Sequence, residues 1–168
     1  MIRRTQKRAF SLVELVIVVV IIGVIAAIAV PRISRGAKGA GDSALRGSLA
    51  SLRNAIDMYA AEHGGTFPGS DGLEATLIDQ LTKKTNFSGT TGTGAGFDFG
   101  PYLRRGFPPA PVGPFSGKAS GVELTTTTPP VADETKTTKG WVYNYQTGEI
   151  VVNTDDTDAA TDRYDEKY

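Results

Sequence analysis

The sequence predicts an α+β fold in which a long N-terminal helix, half membrane-spanning and half amphipathic, packs on a small antiparallel sheet. Three observations predict it. Residues 12–30 form an apolar run interrupted only by Glu14. Leu45, Leu49, Leu52, Ile56 and Tyr59 then recur at spacings of 4, 3, 4 and 3, the period of one helix face. Strand-forming residues come late, in "VELTTTT" and in "GWVYNYQTGEIVVN".

The apolar run holds 19 residues. At ~1.5 Å per residue that is about 28 Å of helix, close to the hydrocarbon thickness of a bilayer. Arg3, Arg4, Lys7 and Arg8 precede it, so the first nine residues hold four of the 18 basic side chains and none of the 18 acidic ones. Basic flanks stay on the cytoplasmic side, which sends the C-terminal body outward in a single pass. The remaining chain carries an acidic excess of four charges and offers no electrostatic footprint for nucleic acid. There is no cysteine, which excludes disulfide and thiolate chemistry. With 20 Gly and 9 Pro, much of the body is expected to be loop.

Three readings fit "KRAFSLVELVIVVVIIGVIAAIAVPR". A plain anchor needs only the apolar run. A removable signal would use the small-x-small pattern Ala27-Ile28-Ala29 and give a mature start at Val30. Glu14 weakens the hydrophobicity on which both depend, because a carboxylate at the bilayer centre costs roughly 2.5–3.5 kcal/mol. The third reading uses the carboxylate. Basic leader, "AFSLVEL" and the apolar span together resemble the prepilin-type N-terminus of the type IV pilin superfamily.

That resemblance implies several roles. A prepilin peptidase would cut between Ala9 and Phe10, where the family usually has Gly before the cut, and Phe10 would be N-methylated. Glu14 would pair with the terminal amine of a neighbouring subunit during assembly, which relieves the cost of an unpaired acid in lipid. Pro31 matches the family's helix-kinking proline. The implied domains are a leader at 1–9, an assembly helix at 10–30, its continuation at 31–64 and a loop-rich head at 65–168. The continuation is amphipathic from about residue 42, and a hairpin at 140–153 closes the head.

Within the continuation, Gly36, Gly39 and Gly41 weaken the helix by up to about 1 kcal/mol each. Asp42 or Ser43 is expected to cap a renewed helix, and Gly64-Gly65 to end it. By resemblance, residues 31–41 extend or melt when the subunit leaves the membrane. A shorter helix carries Leu73, Leu77 and Leu81 behind Ser70 or Asp71 as cap. The Gly- and Pro-rich stretch that follows lacks a Walker ending, and Phe97, Phe99, Tyr102, Phe107 and Phe115 are expected to pin it to the core. In the hairpin, Trp141, Tyr143 and Tyr145 alternate with Val142 and Asn144, so one face should cover the amphipathic helix.

Two further candidates arise. Asn153, Asp155, Asp156, Asp158 and Asp162 cluster oxygen donors of the type that Ca²⁺ prefers. They lack the glycine and closing glutamate of an EF-hand, and the alternative is a solvated acidic surface. His63, the single histidine, stands at a helix end where it can meet terminal carbonyls. Without a second His or any Cys, common zinc sets and Cys–His dyads are excluded, and no nucleophile-elbow motif is present.

The body segments "FPG…LEATLIDQL", "GPYL…FPPAPVGPFSG" and "GWVYNYQTGEIVVN" are similar to major pseudopilins of type II secretion systems, although their usual aspartate-rich calcium loop is not evident. The resemblance implies a non-enzymatic structural subunit without a cofactor. It would sit in the bacterial inner membrane with a periplasmic head and polymerise with its own copies and other pilin-like subunits. Prepilin peptidase and an inner-membrane assembly platform would be its partners, and the product a periplasmic or extracellular filament. A type IV pilus subunit for adhesion, motility or DNA uptake stays open as an alternative, as does a secreted binding domain beginning at Val30.

Overall fold

The computed structural model of the protein describes residues 10–158 and 160–164, without the side chains at positions 31, 34 and 35. Helix α1 runs unbroken through Leu12–Glu62, 51 residues. By packing, the chain divides into a unit ending at Ala37 and a second unit beginning at Lys38. In the first, no described residue from Phe10 to Val30 is buried. A helix that is apolar all round is the pattern of a segment made for lipid or for other helices.

The expected cap at Asp42 or Ser43 is not formed. Helical hydrogen bonding continues through the glycines, so no orphan N–H groups await a cap there. Ser43 Oγ instead donates to the Gly39 carbonyl one turn back, at 3.0 Å. Asp42 is buried and accepts a hydrogen bond from the Tyr164 hydroxyl. The far end of α1 follows expectation. Gly64 adopts φ +65°, and Gly65 N–H donates to the Ala60 carbonyl at 2.7 Å, the six-to-one bond of a Schellman end.

Helix α2 spans Glu74–Thr82, and its N-cap is Leu73, not Ser70 or Asp71. Gly72, at φ +77°, turns the chain just before the helix, which places Asp71 outside it. Asp71 still accepts from Leu73 N–H at 3.0 Å and from Thr76 Oγ1 at 2.6 Å. Leu77 and Leu81 are buried, whereas Leu73 is 59 % exposed and does not join their stripe.

The sheet has three strands in the order β1-β2-β3, namely Gly121–Thr125, Lys139–Asn144 and Ile150–Val152. β2 and β3 form the expected antiparallel hairpin, pairing Trp141 with Val152 and Tyr143 with Ile150. β1, however, lies parallel to β2, so the sheet is mixed where an antiparallel one was expected. The connector 126–138 explains the difference. It is long enough for the crossover of about a dozen residues that parallel neighbours require. It also covers the second face of the sheet. Asn144 Nδ2 donates to the Thr127 carbonyl at 3.0 Å, and Asn153 Oδ1 accepts from Asp133 N–H at 2.6 Å. Val142, Asn144 and Val151 are therefore buried, as are Trp141 and Tyr143 on the other face.

The core joins the α1 stripe of Leu45, Leu49, Leu52, Ile56 and Tyr59 to Leu77, Leu81, Val122, Trp141, Tyr143, Ile150 and Val152. Irregular chain is fixed to it as expected. Tyr102 and Phe107 pack on the cluster, Trp141 Nε1 donates to the Pro108 carbonyl at 2.8 Å, and Phe99 meets the His63 ring edge-on. Phe97 and Phe115 are half-buried. Gly140 is required by close approach, since a Cβ there would lie 2.2 Å from the Ala119 carbonyl oxygen.

Leu52 has no exposed surface, so Leu52→Ala should cost about 2–5 kcal/mol through lost burial and a residual cavity. Leu73→Ala at the exposed helix entry should stay within about 0.5 kcal/mol of the parent. Chemical denaturation of both variants checks the pair.

Candidate functional site

Phe10 and Ser11 immediately precede α1, and Phe10 is 82 % exposed. The Ser11 carbonyl accepts the bond from Leu15 N–H at 3.2 Å, which makes Ser11 the entry residue of the helix. Glu14 is the third helical residue and the acid of the first turn. A negative charge there meets the positive end of the helix dipole, a gain of about 0.3–1 kcal/mol. Ser11 and Glu14 also stand at capping-box spacing, a signal that the sequence reading passed over. Glu14 is exposed and is the one ionisable residue between Leu12 and Val30. Ala9 and the rest of the leader lie outside the described residues. The helix continues through position 31, where proline supplies no N–H to the helical ladder.

This segment, Leu12–Val30, is long and apolar enough to cross a membrane. Residues 4–30 match a family model described as the prokaryotic N-terminal methylation motif. The chain carries the hallmark of type IV pilin-like proteins. That motif supports a type IV pilin-like subunit anchored by its apolar helix, and the family it marks is structural rather than enzymatic. It implies processing by prepilin peptidase and assembly with other pilin subunits. No curated protein and no solved structure matches the chain. The match ends at residue 30, so the head is understood from its own geometry.

The five acidic-tail candidates differ in burial, and Asp158 and Asp162 share one turn. Asp155, Asp156 and Asp162 are exposed, whereas Asn153 and Asp158 are buried and engaged with the backbone. Asn153 Nδ2 donates to the carbonyls of Asp133 and Lys139, both at 3.0 Å. Asp158 Oδ1 accepts from Ala160 N–H at 2.7 Å and Asp162 N–H at 3.1 Å, closing a turn. Among the described residues no three Asp, Glu or His side chains form a metal-holding group. Asn153 thus ties the connector to the sheet, and Asp158 closes a turn.

His63 is buried in an aromatic cluster. Its ring stacks on Tyr59 with centroids 3.8 Å apart, and Tyr102 and Phe99 approach edge-on. Nδ1 donates to the Tyr59 carbonyl at 2.7 Å, and Nε2 lies 3.0 Å from Thr85 Oγ1. Both ring nitrogens are thus engaged within the protein, the helix-end role expected from the sequence. Tyr102 Oη donates to Glu62 Oε2 at 2.5 Å.

Burial pushes the Tyr59 phenol up to about 12, with the Asp71 charge adding to it. Burial likewise raises Tyr102, helped by its bond to Glu62, and Tyr143, helped by the charges of Tyr59 and Asp57. In the unfolded chain these phenols ionise near 10.0. The folded state holds the protons more tightly, so the stabilisation is complete below that pH and is lost as pH rises through the folded values. The melting temperature of the head should therefore fall steeply between about pH 10 and 12. Ionisation of the buried phenols, followed by phenolate absorbance, should coincide with unfolding.

Proposed function

We propose that this chain is cut between Ala9 and Phe10, methylated at Phe10, and polymerised into a filament as a pseudopilin of a type II secretion system. The observation that carries the reading is the methylation motif at residues 4–30, laid over a helix whose apolar surface is exposed on every side. Cutting before Phe10 would leave a cationic amine four residues ahead of Glu14. In lipid, Glu14 is a costly lone acid. Beside the amine of an adjacent copy it becomes one half of an ion pair whose partner arrives only through assembly. Association and axial register are then favoured by the same contact. Apolar packing between neighbouring helices supplies the remaining attraction.

In this scheme Pro31 bends α1 where the span meets the head, and the head stays on the periplasmic side. Preference for the secretion pseudopilus rests on the body segments ending in "GWVYNYQTGEIVVN". The lack of a cysteine pair supports the same preference over disulfide-looped adhesive pilins.

Mass spectrometry of the purified protein should find methylated Phe10 as its first residue. A mature start at Val30, or retention of Met1, would refute the scheme. Glu14→Ala should insert normally and yield little filament, at least about tenfold less than the parent, whereas Glu14→Asp should retain part of it. Sedimentation of sheared filaments measures both variants.

A further inference from the structure

The head presents two pairs of opposite charge that form no ion pair with each other in the single chain. The first pair borders a groove of about 420 Å³ between α1 and the loop at 102–108. Ala44, Gly47 and Ser51 line its helix side, at spacings of 3 and 4 that put them on one face. Small residues leave that space open, and a Cβ at Gly47 would meet nothing within 4 Å. The loop side is fixed to the core. Tyr102 N–H and Leu103 N–H donate to the Leu81 carbonyl at 3.0 and 2.8 Å, and the Pro108 carbonyl accepts from Trp141 Nε1. Between these anchors Gly106, at φ +80°, closes a turn by donating its N–H to the Leu103 carbonyl at 3.3 Å. Arg104 and Arg105 stand on that turn. Both are exposed, and among the described residues neither has an ion-pair partner and no acid lines the groove.

The second pair is Asp155 and Asp156. Both are exposed, and neither carboxylate has an ion-pair partner among the described residues. Their backbone is nevertheless held in place. Thr154, just before them, has no exposed surface and packs against Gly113, where a Cβ would come within 2.8 Å of Thr154 Cβ. Asp156 N–H donates to Thr154 Oγ1 at 3.1 Å, and the Asp156 carbonyl accepts from Tyr164 N–H at 3.1 Å. Two adjacent cations and two adjacent anions are thus each carried on anchored chain, with their charged ends in solvent.

We propose that the groove beside Arg104 and Arg105 receives the Asp155–Asp156 segment of a second copy of this chain. A guanidinium offers a planar fork of donors that matches a carboxylate, so the two pairs are complementary in number and in geometry. Like charges side by side repel within each head, and the contact relieves both repulsions at once. Little ordering is needed on either side, because the backbones that carry the charges are already fixed. The two surfaces differ, so the contact is heterologous: each copy offers its groove to one neighbour and its acid pair to another, which builds an open series of subunits. The inference rests on the filament reading and adds to it the head surfaces that meet. Glu14 acts in the apolar segment, whereas this contact forms in water.

Sedimentation of sheared filaments made from the full chain tests it by charge exchange. Arg104→Glu/Arg105→Glu and Asp155→Arg/Asp156→Arg should each lower the yield about tenfold through like-charge contact. The fourfold variant that combines them should return to within about twofold of the parent, because the pairs are then reversed together. Where a reversal lowers the melting temperature, Arg104→Gln/Arg105→Gln and Asp155→Asn/Asp156→Asn replace it, each expected to lose about threefold. Parental yield from either pair variant would overturn the proposal. Loss in both without recovery in the combination would overturn it too, since the two pairs would then meet other partners. Absence of filament from the parent itself would instead refute the filament reading, and this contact with it.

Discussion

The apolar side chains of α1 between Leu12 and Val30 are exposed, and a surface of that kind calls for an apolar cover such as lipid or other helices. Each large aliphatic residue left in water forgoes about 1.5–3 kcal/mol of burial. The same helix, from Leu45 onward, buries a single stripe completely. One continuous element thus carries two hydrophobic patterns with two different solvents in view. The first suits lipid or like helices, and the second suits a sheet. The rest of the architecture follows from joining them.

Glu14 has meaning only within the first pattern. In water an acid in the first turn of a helix is unremarked and mildly favourable. In hydrocarbon it is a liability that a neighbouring cation removes. In the proposed scheme, the amine exposed by processing would be that cation. Under that proposal, a residue that opposes insertion would reward assembly, and the two effects would share one carboxylate.

The head shows how a small domain without disulfides orders a large fraction of irregular chain. Its polar residues serve as internal partners for backbone groups. Gln80 accepts from Gly69 N–H at 2.8 Å and donates to the Gly89 carbonyl at 3.0 Å, Asn144 and Asn153 tie the connector over the sheet, and Asp158 closes the last turn. Glu74 accepts from Val122 N–H at 2.6 Å and pairs with Lys139, linking α2 to β1 and β2. Buried polar groups of this kind add specificity more than net stability, since each must first give up water.

The sequence by itself determined the features that repeat over short distances. The 3.6-residue stripe, the glycine stop after Glu62 and the hairpin from Trp141 to Val152 are local patterns, and all three appear where the residues put them. The N-terminal motif was legible for the same reason, as leader charge, Phe10 and Glu14 lie within a few residues of one another. Only the tertiary structure decided the rest. Whether β1 runs parallel or antiparallel to β2 depends on the route of the connector 126–138, which no strand pattern encodes. Asp42 read as a cap and is a buried partner of Tyr164. Asn153 and Asp158 read as oxygen donors in an acidic tail; Asn153 ties the connector to the sheet and Asp158 accepts the bonds that close a turn. In each case the deciding contact joins groups whose meeting depends on the three-dimensional path of the chain, and a polar side chain takes its role from whichever donor that path brings to it.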